Sequence, residues 1–146
     1  NLLRLLKIIN IRIPLPLANI RNERSLTSID NLIDFLLLCL KNDDANNKTF
    51  LIADSYPVST TALVKLIAEG LNKKIILFYL PKYFIEIISK LIDKQLTMNS
   101  LISSMKVDIE YSKKELNWSP RITTNKGIIA MVKKRIDLQA EKKNGY

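Results

Sequence analysis

Apolar residues recur every three or four positions along most of this chain, and this spacing predicts a largely helical fold. The predicted helices are 2–9, about 31–41, 60–71, one opened by Pro81, a short one from Asp108 to Trp118, and about 124–138. Two short apolar runs, Thr49–Ala53 and Lys74–Phe78, instead predict buried strands. Helices and strands therefore alternate in the middle of the chain, which predicts a βαβ-like arrangement.

The ends of these elements carry residues typical of helix starts and stops. Asn1 and Asp30 are placed to cap the first two helices, and Gly70 lies near the end of the third. Two prolines in Ile13–Leu17 fix their own φ and bias the residue before each of them. This segment is therefore predicted to be an extended loop.

The length suits one domain with its own core, and the charge balance favours anionic partners. The 146 residues include 23 basic and 14 acidic side chains, a formal charge of +9, which suits nucleic acid, a phospholipid surface or phosphorylated metabolites. The densest basic run, from Lys133 to Lys143, is expected to coat a solvated helix face. Aromatic residues are not interleaved with the cations as a single-strand-binding surface requires, so nucleic acid is the least favoured partner.

The single cysteine and the hydropathy pattern bear on location. Cys39 lies in the apolar run 35–40 and is predicted to be a buried thiol, which suits a reducing cytoplasm. No apolar run approaches the roughly 18 residues that a membrane helix needs. The chain begins at Asn1 without a methionine or a signal-peptide pattern, so we expect a cytoplasmic piece of a longer protein.

The residue types needed for most catalysis are missing. The chain has no histidine, which excludes Ser-His and Cys-His nucleophiles and imidazole metal ligands. Its three glycines, Gly70, Gly127 and Gly145, are too far apart for a dinucleotide fingerprint or a P-loop. No tyrosine is followed four residues later by lysine. We therefore predict no catalytic, cofactor-binding or metal-binding residue in this chain, which leaves binding chemistry.

Arg24 is the strongest candidate for such chemistry. It precedes an apolar, extended run that ends at Ile29, so its guanidinium can project from a rigid element toward a phosphate. The alternative is a surface arginine paired with Glu23 or Asp30.

Five segments carry recognisable motifs in a fixed order. They are Asn1–Leu6, similar to Asn-Phe-x-x-Leu-Leu; Ile13–Leu17, similar to Leu-Pro-Leu-Pro-Leu-Gly; Arg24–Leu32, similar to Arg-Ser-x-x-x-Val-Asp-Asn-Leu; Thr49–Asp54 with Ser59 and Thr60; and Val107-Asp108 with Leu116–Pro120. Together they resemble the C-terminal half of the extended short-chain dehydrogenase/reductase family, the NAD-dependent nucleotide-sugar epimerases, dehydratases and reductases. Within it, the likeness is closest to bacterial UDP-N-acetylhexosamine 4-epimerases and 4-reductases, and covers about residues 1–135.

The resemblance implies an α/β protein of the extended Rossmann type. This chain would be its C-terminal substrate-binding part, mostly helical with a few short strands, and the N-terminal cofactor half would be absent. The implied divisions are a substrate loop segment (1–29), elements that complete the cofactor sheet (30–78), a helical part (79–138) and a basic tail (139–146).

The resemblance also implies the site residues. Asn1 and Arg24 would contact the diphosphate of a UDP-sugar, and Pro16 and Leu17 would line its uracil. The alternatives are that Asn1 only caps its helix and that Pro16 and Leu17 only pack. Asn117 replaces a glycine that is usual in the family, and residues 98–100 lack the second phosphate-binding arginine of many relatives.

The implied function is the UDP-sugar-binding portion of an enzyme that makes surface polysaccharide precursors. Its NAD site would lie outside this chain, no metal is implied, and the chain alone would be inactive. Expected partners are a UDP-sugar and either a chain carrying the missing half or a second copy. The alternatives are a non-catalytic nucleotide-sugar-binding or interaction module and, less favoured, a basic nucleic-acid-binding domain. The sugar, and the choice between epimerisation and reduction, stay open.

Overall fold

The computed structural model describes residues 2–81, 83–84 and 101–144, with side chains as far as residue 141. The helices within these ranges are α1 (Leu2–Asn10), α2 (Ile29–Cys39), α3 (Thr60–Gly70), α4 (Glu110–Leu116) and α5 (Thr124–Asn144), with a short 3₁₀ turn at Asp43–Ala45. The predicted first and third helices are confirmed, and the last helix extends further than predicted. Most of the helix predicted to begin at Pro81 falls outside the described residues, although Tyr83 and Phe84 are helical. The capping role of Asn1 also falls outside them.

The main core lies where α1, α3 and α5 pack together. Its fully buried side chains include Ile9 from α1, Val64 and Ile67 from α3, and Val132 from α5. Gly70 marks the closest approach of α3 to α5, because a β-carbon at this position would lie 2.8 Å from Cβ of Val132. Gly70 therefore serves helix packing rather than helix termination.

We expect Gly70→Ala to lower the free energy of unfolding by about 1–3 kcal/mol, because the added methyl group overpacks this helix crossing. The better helix propensity of alanine offsets only part of that loss. Urea unfolding followed by circular dichroism measures the change. Glu69→Ala, at an exposed position one residue earlier, is the control. A Gly70→Ala chain as stable as the parent would contradict this packing.

A second cluster of buried side chains packs α2 against α4 and the segment that follows it. The ring of Phe35 meets that of Trp118 edge to face, with centroids 4.9 Å apart. Trp118 is 5% exposed, and its indole N–H donates to Oδ2 of Asp34 at 3.0 Å. At the edge of the cluster, Lys48 pairs with Glu115, and this hydrogen bond raises the pKa of Lys48.

The two predicted strands are not formed among the described residues, so the βαβ-like prediction is wrong for this part of the chain. Residues 49–53 are irregular, and Leu51 and Ile52 use their carbonyls to accept hydroxyl groups of Ser112 and Thr27. The 74–78 segment makes one parallel bridge, between Leu77 and Leu15. A strand needs neighbouring strands on which to build a ladder, and none lies beside either segment within the described residues.

The start of α2 also differs from the prediction. Ser28, rather than Asp30, is the N-cap, since its hydroxyl accepts the backbone N–H of Asn31 at 3.4 Å. Asp30 lies inside the first turn, where a carboxylate is favoured by the helix dipole. The helix therefore begins two residues earlier than predicted. Cys39 ends α2 and is half-buried rather than buried.

The extended loop predicted for Ile13–Leu17 is confirmed, because these residues are not helical and Leu15 pairs with the 76–78 segment. At the end of α4, Asn117 adopts the left-handed conformation with φ 47°, where a glycine is usual. Asparagine is one of the few residues with a side chain that tolerates this conformation. Within the described ranges, no helix has both the length and the apolar character needed to cross a bilayer.

Candidate functional site

The segment that carries Arg24 is held by main-chain hydrogen bonds on both sides. The N–H of Arg24 donates to the carbonyl of Val58 at 3.0 Å, and the N–H of Val58 donates back at 2.9 Å. On the other side, the N–H of Ser25 donates to Met105 at 2.9 Å, and the N–H of Met105 donates to Glu23 at 2.7 Å. These bonds fix the backbone from which the guanidinium of Arg24 projects. Arg24 itself is half-buried.

A buried carboxylate lies just beyond this segment, at the start of α2. Oδ1 of Asp54 accepts the N–H of Ser28 at 2.9 Å, the hydroxyl of Ser28 at 3.2 Å and the amide of Asn31 at 2.6 Å. Asp54 is 6% exposed, and three donors on one oxygen compensate the cost of burying it. The Arg24–Leu32 motif is therefore tied to the 49–54 motif.

The amide of Asn31 also joins the loop that precedes α5. Its Oδ1 accepts the N–H groups of Arg121 and Ile122, both at 3.0 Å, and its Nδ2 donates to the carbonyl of Ile122 at 2.8 Å. Asn31 is 1% exposed. One buried side chain thus connects α2, Asp54 and the approach to α5.

Two cavities open on either side of Asp54. The first has a volume of about 510 Å³ and is largely apolar, with Lys134 and Arg135 of α5 among its lining residues. The second has a volume of about 420 Å³ and is lined by Ser25, Lys106, Lys113 and acidic side chains. Asp54 contributes to both walls, and the Arg24–Leu32 motif lines the first cavity with residues 26–30 and the second with Ser25.

The structure brings two of the four predicted substrate residues into positions along the start of α3. Leu17 is 3% exposed in the main core, and its carbonyl accepts the hydroxyl of Thr61 at 2.7 Å. Arg24 is bonded to Val58, just before the same helix. Pro16 is half-buried, and Asn1 lies outside the described residues. Their contacts with a nucleotide stay predictions.

Three buried polar residues that organise this region were not among the predicted site residues. Asn31 and Asp54 stand inside quoted motifs, which is the signal that marks them. Asn22, also buried, has no comparable sequence signal.

The described glycines do not fit a bound dinucleotide. Gly70 lies in α3 and Gly127 in α5, so neither belongs to a phosphate-cradling turn of the kind that NAD requires. Within the described ranges, no three His, Cys, Asp or Glu side chains gather into a candidate metal site.

No protein-family model matches the chain. It is, however, similar to a UDP-glucose 4-epimerase of Vibrio cholerae, with 34% identity over 128 residues. The chain is thus similar to part of that enzyme. The matched stretch is 87% of the chain but only 39% of the relative, so the chain spans about two fifths of that enzyme's length.

This relationship confirms the coarser part of the sequence prediction, a portion related to a nucleotide-sugar epimerase. The matched part of the relative is its C-terminal part. The mostly helical architecture, with almost no strand among the described residues, is compatible with a truncated Rossmann-type domain. The narrower assignment to UDP-N-acetylhexosamine enzymes stays a prediction.

Proposed function

We propose that this chain is the UDP-sugar-binding portion of an NAD-dependent nucleotide-sugar 4-epimerase or reductase that acts on UDP-N-acetylhexosamine precursors of surface polysaccharide. The observation that carries the proposal is that main-chain hydrogen bonds to Val58 and Met105 hold the segment of Arg24 on both sides. The similarity to an epimerase and the formal charge of +9 support the same reading.

In this proposal the residues of the chain bind and orient. The guanidinium of Arg24 forms paired, charge-assisted hydrogen bonds with the diphosphate, which suits its planar fork of donors. Asn1 contributes a second contact to the diphosphate, and Pro16 and Leu17 lie along the uracil. Anchoring of this kind places the sugar for reaction but does not itself stabilise a transition state.

The chemistry of the whole enzyme needs groups from outside this chain. NAD supplies reversible hydride transfer in such an enzyme, and the residues described here do not fit it. A stripe of exposed apolar side chains along α2 and its C-cap supports the proposal that a partner covers this helix. Five large side chains there are 48–83% exposed: Ile29, Ile33, Leu36, Leu37 and Leu40. The proposed cover is a chain or segment that carries the cofactor half, or a second copy of this chain.

We expect the purified chain to show no turnover of UDP-glucose or UDP-N-acetylglucosamine with added NAD, because its sequence contains neither a Tyr-x-x-x-Lys dyad nor a glycine-rich NAD fingerprint. Coupled assays of the C4 epimer and of NADH formation measure this. Turnover above the blank that tracks with the purified chain would contradict the proposal.

Thermal unfolding with added ligands tests the binding role. Saturating UDP is expected to raise the midpoint by about 2–6 °C, because a ligand that binds only the folded state stabilises it by mass action. Uridine, which lacks the diphosphate, is the matched ligand and should give a much smaller shift. Equal shifts with both ligands would contradict the role of the diphosphate. Salt-sensitive retention on DNA or RNA without any effect of UDP would instead support the nucleic-acid alternative.

A further inference from the structure

Asn22 lies two residues before Arg24, and its buried side-chain amide hydrogen-bonds to main-chain atoms of two separate segments. It is 6% exposed. Its Oδ1 accepts the N–H of Thr60 at 2.8 Å. Its Nδ2 donates to the carbonyls of Leu101 at 3.1 Å and Ser103 at 2.8 Å. Both the oxygen and the nitrogen of its amide therefore hydrogen-bond to the main chain.

The partners of Asn22 belong to the two segments that flank Arg24. Thr60 follows Val58, which is bonded to Arg24, and Ser103 precedes Met105, which is bonded to the residues on either side of Arg24. The hydroxyl of Thr60 also donates to the carbonyl of Leu101. Asn22 therefore fixes the distance between the two flanking segments at the point where the Arg24 backbone enters between them.

We propose that Asn22 is a positioning residue for Arg24, and that its amide sets the place from which the guanidinium reaches a diphosphate. The inference rests on the proposed function of Arg24. An arginine side chain projects from its own Cα, so a shift of the backbone shifts the point from which the guanidinium reaches. Without the amide, the N–H of buried Thr60 and the carbonyls of Leu101 and Ser103 each lose a partner, and the flanking segments can separate.

The substitution that tests this is Asn22→Ser, which shortens the amide but keeps a polar group. Asn22→Thr is the second variant, because a β-branched residue suits extended backbone. Ser112→Ala is the matched control, since the Ser112 hydroxyl is 0% exposed and holds the carbonyl of Leu51, outside the two segments that flank Arg24. Circular dichroism sets a temperature at which every variant is folded.

Titration calorimetry with UDP then gives the affinity. We expect Asn22→Ser and Asn22→Thr each to weaken UDP binding by about fivefold to tenfold, through loss of orientation. Ser112→Ala should stay within about twofold of the parent, because loss of general stability does not move Arg24. In an Arg24→Ala background, Asn22→Ser should have no further effect on affinity.

The possible results distinguish the positioning role of Asn22 from the proposed role of Arg24 as a diphosphate ligand. Affinity unchanged by both Asn22 variants, or lowered equally by Ser112→Ala, would overturn the positioning role while leaving Arg24 as a ligand. The same loss in the Arg24→Ala background would also overturn it, since Asn22 would then act independently of Arg24. If Arg24→Ala alone leaves UDP affinity unchanged, the proposed function fails and the positioning role fails with it.

Discussion

Asn31→Ala is expected to lower the free energy of unfolding by about 3 kcal/mol, through the buried groups that it leaves without a partner. The substitution removes the donor 2.6 Å from Oδ1 of Asp54. It also removes the acceptor that the N–H groups of Arg121 and Ile122 share. Asn31 is 1% exposed, so water does not replace these bonds without opening the structure.

Urea unfolding measures this loss as a lower midpoint. Asn46→Ala is the control, because Asn46 is exposed and its amide contact with Asp43 is 3.5 Å long. The control should change the unfolding free energy by less than about 0.5 kcal/mol. A loss of under 1 kcal/mol for Asn31→Ala, on the scale of an ordinary surface change, would show that this amide does not hold the three segments together.

The helices of the main core could be predicted from the sequence because their signals are local. The spacing of apolar residues in α1 and α3 reflects which face each helix buries, and that spacing is visible in the chain itself. The start of α2, by contrast, is not decided by local signals alone. Ser28 and Asp30 are both good capping residues, and the choice depends on the bond that Ser28 also makes to Asp54.

The strands could not be predicted in the same way, because a strand depends on neighbours that are distant in sequence. The apolar residues 49–53 suit a buried strand, yet Leu51 is 58% exposed and its carbonyl accepts a side chain. The role of Gly70 also depends on a residue that is distant in sequence. Its position near a helix end suggested a stop signal, whereas the structure shows contact with Val132, 62 residues further on.

The candidate site was predicted only in part. Arg24 could be singled out because its motif resembles a known one, but its bonds to Val58 and Met105 join residues far apart in the chain. No local pattern reveals such bonds. The same is true of Asn22, whose partners lie at Thr60 and at 101–103.

Arg24→Ala is expected to weaken UDP binding by about 10- to 100-fold, since a charge-assisted hydrogen bond to phosphate contributes about 1.5–3 kcal/mol. Residues 98–100 hold no second arginine of the kind found in many members of the resembled family. Arg21→Ala is the charge-matched control. Arg21 is exposed, and its guanidinium Nε donates to Oδ1 of Asn19 at 3.2 Å. Both variants lower the net charge by one, so only the position of the cation differs.

Calorimetric titration of UDP and UMP into the parent chain, Arg24→Ala and Arg21→Ala is the decisive test of whether Arg24 binds the diphosphate. We expect the parent to bind UDP more tightly than UMP, Arg24→Ala to lose this preference, and Arg21→Ala to keep it. Equal affinity of the parent for both nucleotides, or a UDP preference that survives Arg24→Ala, would contradict the assignment of Arg24 to the diphosphate.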